Sequence, residues 1–252
     1  MMTGPGTNTY LFGKSEIAVV DPGPNIEAHI ERIVQTAGAA IRWILVTHTH
    51  PDHSPAAMPL AERTGAELLG IPAPQGEQQD RTFRPDRVLA DGDVLETEEF
   101  ALDAVHTPGH ASNHLCYRHE ETNWLLTGDQ VIDGSTVVIN PPDGNMKHYI
   151  ESLRRLKEMR CESLLPGHGE RIDDPVRAID WIIDHRLQRE AKVLAALQAN
   201  PDLSLHDLVP HVYQDVAEHL FGLAERSLLA HLLKLEADGV AACENDEWCV
   251  TQ

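Results

Sequence analysis

No stretch of this 252-residue chain approaches the roughly 18 consecutive apolar residues that a bilayer-spanning helix needs. The first residues, Met1-Met2-Thr3-Gly4-Pro5-Gly6, hold neither a basic segment nor an apolar stretch. No secretory signal is therefore expected, and the cytoplasm is the expected compartment. The four cysteines, Cys116, Cys161, Cys243 and Cys249, show no Cys-x-x-Cys spacing. Free or buried thiols are the expected state, with a Cys243–Cys249 pair across a terminal hairpin as the alternative. There is no Gly-x-Ser-x-Gly, so no serine nucleophile on a strand-to-helix elbow is expected. Positive charge is scarce: 20 Lys and Arg stand against 40 Asp and Glu, for a formal net charge of −20. Such a surface repels polyanions at long range and offers few of the cations that nonspecific nucleic-acid binding depends on.

Histidine, by contrast, is concentrated. His48-Thr49-His50-Pro51-Asp52-His53 packs three imidazoles and a carboxylate into six residues, directly after a predicted strand over 41–47. On a strand His53 would point away from His48 and His50, and on a helix residues two apart diverge. Convergence needs an irregular turn, which Pro51 favours. Three further segments repeat one pattern, an apolar run closed by a Gly-containing turn. Val105-His106-Thr107-Pro108-Gly109-His110 presents His110, Trp124-Leu125-Leu126-Thr127-Gly128-Asp129 presents Asp129, and Leu164-Leu165-Pro166-Gly167-His168-Gly169 presents His168. Apolar runs of this length read as buried strands. Each would project one ligand from a strand end, so one rim of a sheet is expected to carry the set. Imidazole nitrogen and carboxylate oxygen suit zinc and similar first-row metals.

The order HxHxDH, TPGH, GD, PGHG resembles the metallo-β-lactamase superfamily. The opening Gly6-Thr7-Asn8-Thr9-Tyr10-Leu11 and the strand end Val19-Val20-Asp21-Pro22-Gly23 resemble that family's first two strands. The resemblance runs from residue 3 to about 172, with all seven ligand positions filled. It implies a four-layer αββα sandwich and two metal ions. His48, His50 and His110 would hold one ion, Asp52, His53 and His168 the other, and Asp129 would bridge them. It also implies hydrolysis by a hydroxide held between the ions, with Asp52 best placed to orient or carry a proton. Asp21 is expected to support the HxHxDH loop, since ligand histidines need a partner on their other nitrogen. His114, beyond Ser112 and Asn113, is expected to touch substrate or to support a ligand. Zn(II) is the expected metal, with Fe or Mn as alternatives.

The pattern changes near residue 173. Before it, short strands alternate with helices expected over 26–37 (apolar stripe Ile26, Ile30, Ile33, Val34), 54–64 and 145–159, the last capped by Asn145. Residues 71–86 read as a loop. This alternation gives an α/β class for a domain over 1–173. From 174 to 252, a long helix to about 200, helices over 204–211 and 225–237, and a hairpin over 240–250 form a winged-helix pattern. The module is similar to that of the lactamase-β-like branch, in which Asp184-His185-Arg186 and Arg189-Glu190 match a recurrent segment.

This branch implies a single-strand-specific endoribonuclease first. A glyoxalase-II-like hydrolase of thioesters, or a lactonase, is the alternative, with weak β-lactamase activity conceivable. Arg186, Arg189 and Lys192 would be the nearest cations for a glutathione carboxylate. A non-catalytic, metal-binding winged-helix regulator is the alternative of another class. Residues 174–252 carry 6 Lys and Arg against 14 Asp and Glu, which weighs against sequence-specific DNA binding. Acidity does not exclude RNA as a substrate, because bound cations make the site itself positive.

Overall fold

The computed structural model describes residues 6–76 and 78–251. In the first sheet, β1 (Tyr10–Phe12) pairs antiparallel with β2 (Ile17–Val20). Strands β2, β3 (Ile41–Leu45), β4 (Glu67–Gly70) and β5 (Arg87–Val88) then follow in parallel. Parallel neighbours need a crossover; α1 (Glu27–Ala37) and α2 (Ala57–Thr64) supply two of them. In the second sheet β6 (Val94–Glu96), β7 (Ala101–His106), β8 (Leu115–His119) and β9 (Trp124–Gly128) run antiparallel in order. Helix α3 (Met146–Glu158) carries the chain over to β10 (Ser163–Pro166), parallel to β9.

The strands are apolar without alternation because both of their faces are covered. Neighbouring residues point to opposite sides of a sheet, and here each side has its own core. Val19 and Ile44 face α1 and α2, while Val20 and Leu45 face the other sheet. Leu126 and Leu165 meet them across the sandwich, and Leu125 and Leu164 face α3. The result is the four-layer αββα sandwich. Tyr117, fully buried, ties the sheets by donating to the Val46 carbonyl at 2.8 Å.

The C-terminal part holds α4 (Pro175–Ala199), β11 (Leu203–Ser204), α5 (Leu205–Val212), α6 (Phe221–Ala237), β12 (Ala241–Glu244) and β13 (Glu247–Val250). Asn145, Asp174 and Ser204 cap α3, α4 and α5 through their side-chain oxygens. Asn245 and Asp246 close the wing with φ of 52° and 67°, the two positive values a two-residue hairpin turn requires. Helix α4 serves two cores: Ile179, Ile182 and Ile183 pack on α3, and Val193, Ala196 and Leu197 pack on α5 and α6.

Several expectations are corrected. Ile26 is an extended residue before α1 and is 54% exposed, so the stripe begins at Ile30. Helix α2 starts at Ala57, because turns that shape the histidine loop occupy the residues before it. Helix α6 starts at Phe221, whose ring packs on the core around Leu228 and Leu232. Strand β11 adds a third strand to the wing; at two residues it has no readable period. Cys243 and Cys249 are both free. Cys243 stands opposite Trp248 and Cys249 opposite Ala242, so the two thiols lie on opposite faces of the hairpin. Among the described residues no helix is long and apolar enough to cross a membrane.

Candidate metal centre

His48, His50, Asp52 and His53 lie on the loop that follows β3, in the first sheet. His110, Asp129 and His168 follow β7, β9 and β10, in the second. The three strand-end residues share one rim of the second sheet, as expected, and the histidine loop of the first sheet joins them there. β7, β9 and β10 run in one direction, so their C-terminal ends open at one edge of the sandwich, and β3 ends beside them.

Asp21 shapes the histidine loop. It is 2% exposed, with φ of 50°, a left-handed conformation that Asp tolerates better than most residues. Its Oδ1 accepts the Thr47 backbone N–H at 2.7 Å. Its Oδ2 accepts the Thr47 hydroxyl at 2.7 Å and the His53 Nδ1–H at 2.9 Å.

The partner of each ring decides which nitrogen is free. His110 Nδ1–H donates to the Val138 carbonyl at 2.8 Å, and His168 Nδ1–H to the Gly6 carbonyl at 2.9 Å. A carbonyl only accepts, so in the neutral form of both rings Nε2 is the nitrogen that keeps its lone pair. The same holds for His53, whose Nδ1–H points at Asp21. The Thr47 hydroxyl gives its proton to Asp21, so it accepts from His48 Nδ1 at 3.0 Å. His50 turns the other way: its Nδ1 lies 2.9 Å from both His48 Nε2 and His110 Nε2.

These free atoms converge in triads. His48, His50 and His110 form one; Asp52, His53 and His168 form another; His48, His53 and Asp129 link them. Asp129 turns Oδ1 to His53 and His168, 3.3 Å from each, and Oδ2 to His110 at 3.5 Å. Asp52 Oδ2 is 3.2 Å from His168 Nε2. His53 Nε2, His168 Nε2 and Asp129 Oδ1 are buried without a hydrogen-bond partner. Buried polar atoms facing one another without a hydrogen-bond partner are costly unless protons or a metal cation satisfy them. The donor set, five imidazoles and two carboxylates, fits zinc, manganese or iron. Gly167 makes room for it: a Cβ there would lie 2.8 Å from His53 and 3.0 Å from Asp129.

The field separates the imidazoles. Burial, with its neighbouring histidines, holds His48 well below the ordinary imidazole value, and burial takes His50 down to about 3. His110 is lowered by burial, against the pull of Asp129. Burial would also lower His53 and His168, but carboxylates outweigh it. Asp129 and Asp21 hold His53 well above its ordinary value, and Asp129 and Asp52 push His168 up to about 10. At pH 7 the metal-free centre therefore keeps protons on His53 and His168 and none on the other three. A divalent ion must displace those protons, so apparent affinity falls as pH falls. Titration of the metal-free protein at pH 7, in two buffers of different ionisation enthalpy, is expected to show release of about two protons once both positions fill. Release of none would mean that the carboxylates do not hold these rings charged.

His114 lies behind the ligand candidates, not before them. It is fully buried; its Nε2 accepts the Asp129 backbone N–H at 3.1 Å and its Nδ1–H donates to Thr107 Oγ1 at 2.9 Å. Its two hydrogen bonds go to the Asp129 backbone and to Thr107. The cations considered for a glutathione carboxylate are committed elsewhere. Arg186 is buried and donates to the Val137 carbonyl, and Arg189 and Lys192 face Asp215. Sequence reasoning missed Thr47, Thr107 and the carbonyls of Gly6 and Val138. The threonines precede ligand turns, a weak signal, and carbonyls have none. It also missed a chain that ties the 71–86 loop to the site: Asn113 donates to Thr49 at 2.8 Å, Thr49 to Gln79 at 2.5 Å, and Gln79 to Asp143 at 3.0 Å.

A family model for the metallo-beta-lactamase superfamily matches residues 2–168. The chain belongs to that superfamily. As a member of it, the protein is a metal-dependent hydrolase, and its His and Asp clusters suit two metal ions. A model for the beta-lactamase associated winged helix domain matches residues 204–248. Over its whole length the chain is 32% identical to a beta-lactamase-like protein 2 homolog of Drosophila melanogaster, of which it covers 90%. It is 32% identical over 201 residues, 77% of its length, to an atrochrysone carboxyl ACP thioesterase of Aspergillus fumigatus. It spans 60% of that relative, less than two thirds. Among solved structures, a metallo-beta-lactamase family protein from Thermus thermophilus superimposes with a TM-score of 0.81 at 22% identity, covering 97% of this chain and 94% of the other.

Proposed function

We propose that the chain is a dinuclear metallohydrolase of thioesters, with residues 1–173 as the catalytic body and 174–252 as a winged-helix module. The observation that carries the reading is the pair of triads facing the two oxygens of Asp129. His48, His50 and His110 would hold one ion, Asp52, His53 and His168 the second, and Asp129 both, with Asp21 and His114 as supports. Zinc is the metal we favour, with iron or manganese as alternatives that metal analysis separates. When bound, the ions supply Lewis-acid polarisation of the scissile oxygen and a water acidic enough to attack near neutral pH.

The chain's own residues do the rest. Asp129 brings negative charge between two groups of imidazoles and sets their separation. Asp52 is partly open to solvent, with its side chain 33% exposed. Burial raises its pKa, but His168 and His53 bring it below the ordinary value, so it stays ionised and able to orient or accept a proton. No serine or cysteine is needed, and burial pushes the nearby Cys116 thiol up to about 12, which keeps it inert.

Two observations favour thioesters over RNA. One is the likeness to a protein named as an acyl-carrier thioesterase. The other is charge: the ligand loops bring further carboxylates. Asp80 accepts from Ser54, Asp143 from Ser112, and Asp133 from the Glu170 backbone. A polyanion gains little from carboxylates so close to these loops. Single-stranded RNA remains the reading that the branch resemblance supports. The regulator reading has less support, since no ligand position is empty. Lys234, on α6 of the winged-helix module, is also held by Glu190 and Asp238 rather than free for phosphate.

Metal-loaded protein, with Asp129→Ala alongside, should be offered a panel of acyl-coenzyme A thioesters, small lactones and a short single-stranded RNA. Thiol release by the wild type alone is the expected result. RNA cleavage without thiol release would reverse the order of the two readings, and neither activity from protein shown to hold two metals would remove both.

A further inference from the structure

We infer that Arg186 is a positioning residue for His110, so that the helix connecting the two parts of the chain holds one half of the metal centre in place. The inference rests on the ligand assignment proposed above. Arg186 comes from α4 and is 5% exposed. A buried guanidinium is expensive and is ordinarily matched by a carboxylate. Among the described residues Arg186 has no ion pair, and its Nε has no hydrogen-bond partner. Its Nη2 donates instead to a backbone carbonyl, that of Val137.

The next carbonyl in the chain is that of Val138, which accepts His110 Nδ1–H at 2.8 Å. Arg186 therefore grips the peptide unit preceding the one that sets the tautomer and direction of the His110 ring. Losing a partner of this kind on a ligand's second nitrogen typically costs about ten- to a hundredfold in metal affinity or activity.

A second route reaches the same place. The guanidinium lies over the Tyr149 ring, 5.6 Å from its centre. Tyr149 packs its backbone against Gly109, the residue before His110. Its hydroxyl donates to the Gln130 carbonyl at 3.0 Å, and the Gln130 amide returns a bond to the Tyr149 carbonyl at 3.3 Å. Gln130 follows Asp129. Arg186 thus braces the neighbours of two ligand candidates from a helix that carries none. An ordinary interdomain tie would stabilise the fold without changing metal affinity, and this difference can be measured.

Metal-free wild type, Arg186→Lys and Arg186→Met should be titrated with Co(II), reading the visible absorption of the bound ion and its affinity. Circular dichroism and melting would establish that each variant is folded at the working temperature. In folded Arg186→Met we expect one of two Co(II) positions to weaken by roughly ten- to a hundredfold. Its spectrum should change, the other position should stay as in the wild type, and Arg186→Lys should lie between. Two wild-type affinities and a wild-type spectrum in folded Arg186→Met would overturn the inference. Fewer than two ions in the wild type would instead overturn the ligand assignment beneath it. If neither variant folds, hydrogen exchange of the wild type decides, since coupling is reciprocal. Protection on metal loading that reaches residues 137–140 and the turn of α4 around Arg186 supports the inference; protection that stops short of α4 overturns it.

Discussion

Replacing Asp129 with alanine is expected to cut kcat/KM by roughly a thousandfold or more, about 4 kcal/mol of transition-state stabilisation, and to lower metal content while leaving the fold intact. Asp129 is the one candidate whose two oxygens face both sets of imidazoles, at 3.3 Å from His53 and His168 and 3.5 Å from His110. No neighbour can replace it: Asp52 reaches the second set only, and Asp21 is spent on Thr47 and His53. The substitution also removes the charge that holds His53 and His168 protonated in the metal-free protein. Asp21 still faces His53 at 2.9 Å and Asp52 still faces His168 at 3.2 Å, so neither ring is stranded as an unpaired charge and the sandwich survives. Metal analysis, circular dichroism and turnover on one preparation would test this. Full turnover with two retained ions would remove Asp129 from the centre.

A large stability effect is expected at Gly109. A Cβ there would sit 2.3 Å from the Tyr149 Cα and 2.6 Å from its backbone nitrogen, and φ is +148°. Both contacts are with backbone in the first turns of α3, so neither can swing aside. The Gly109 carbonyl also accepts the Asn145 N–H at 2.7 Å, which seats the capped end of that helix on the TPGH turn. Gly109→Ala should therefore cost about 3 kcal/mol or more and displace His110 as α3 moves outward. Gly222→Ala provides the contrast. It lies in α6, where an added Cβ meets nothing within 4 Å, and is expected to be neutral or to stabilise by up to about 1 kcal/mol. Denaturant midpoints for the two variants would separate the cases. Equal midpoints would mean that α3 does not pack against the TPGH turn as described.

The ligand candidates were legible because each lies beside punctuation the chain writes locally. Apolar strand runs, Pro-Gly turns and histidines at short spacing are properties of a few consecutive residues. The caps Asn145, Asp174 and Ser204 were legible for the same reason, and so was the wing's turn at Asn245 and Asp246. Errors arose where a distant neighbour decides. Ile26 fits the helical stripe yet lies outside α1. Cys243 and Cys249 look matched until the register places Trp248 and Ala242 opposite them. Arg186 resembles a free cation until it is seen buried against Val137.

The amino-acid order by itself determined the α/β alternation, the winged-helix pattern, the metal-binding character of the site and its candidate ligands, because these depend on side-chain chemistry and period. Only the tertiary structure decided that two sheets share the site, that Asp129 turns one oxygen to each set of histidines, and that Asp21, Thr47 and two carbonyls choose the free nitrogen of four rings. These are meetings between residues far apart in the chain, and local periodicity carries no information about which distant partner a side chain or carbonyl will meet.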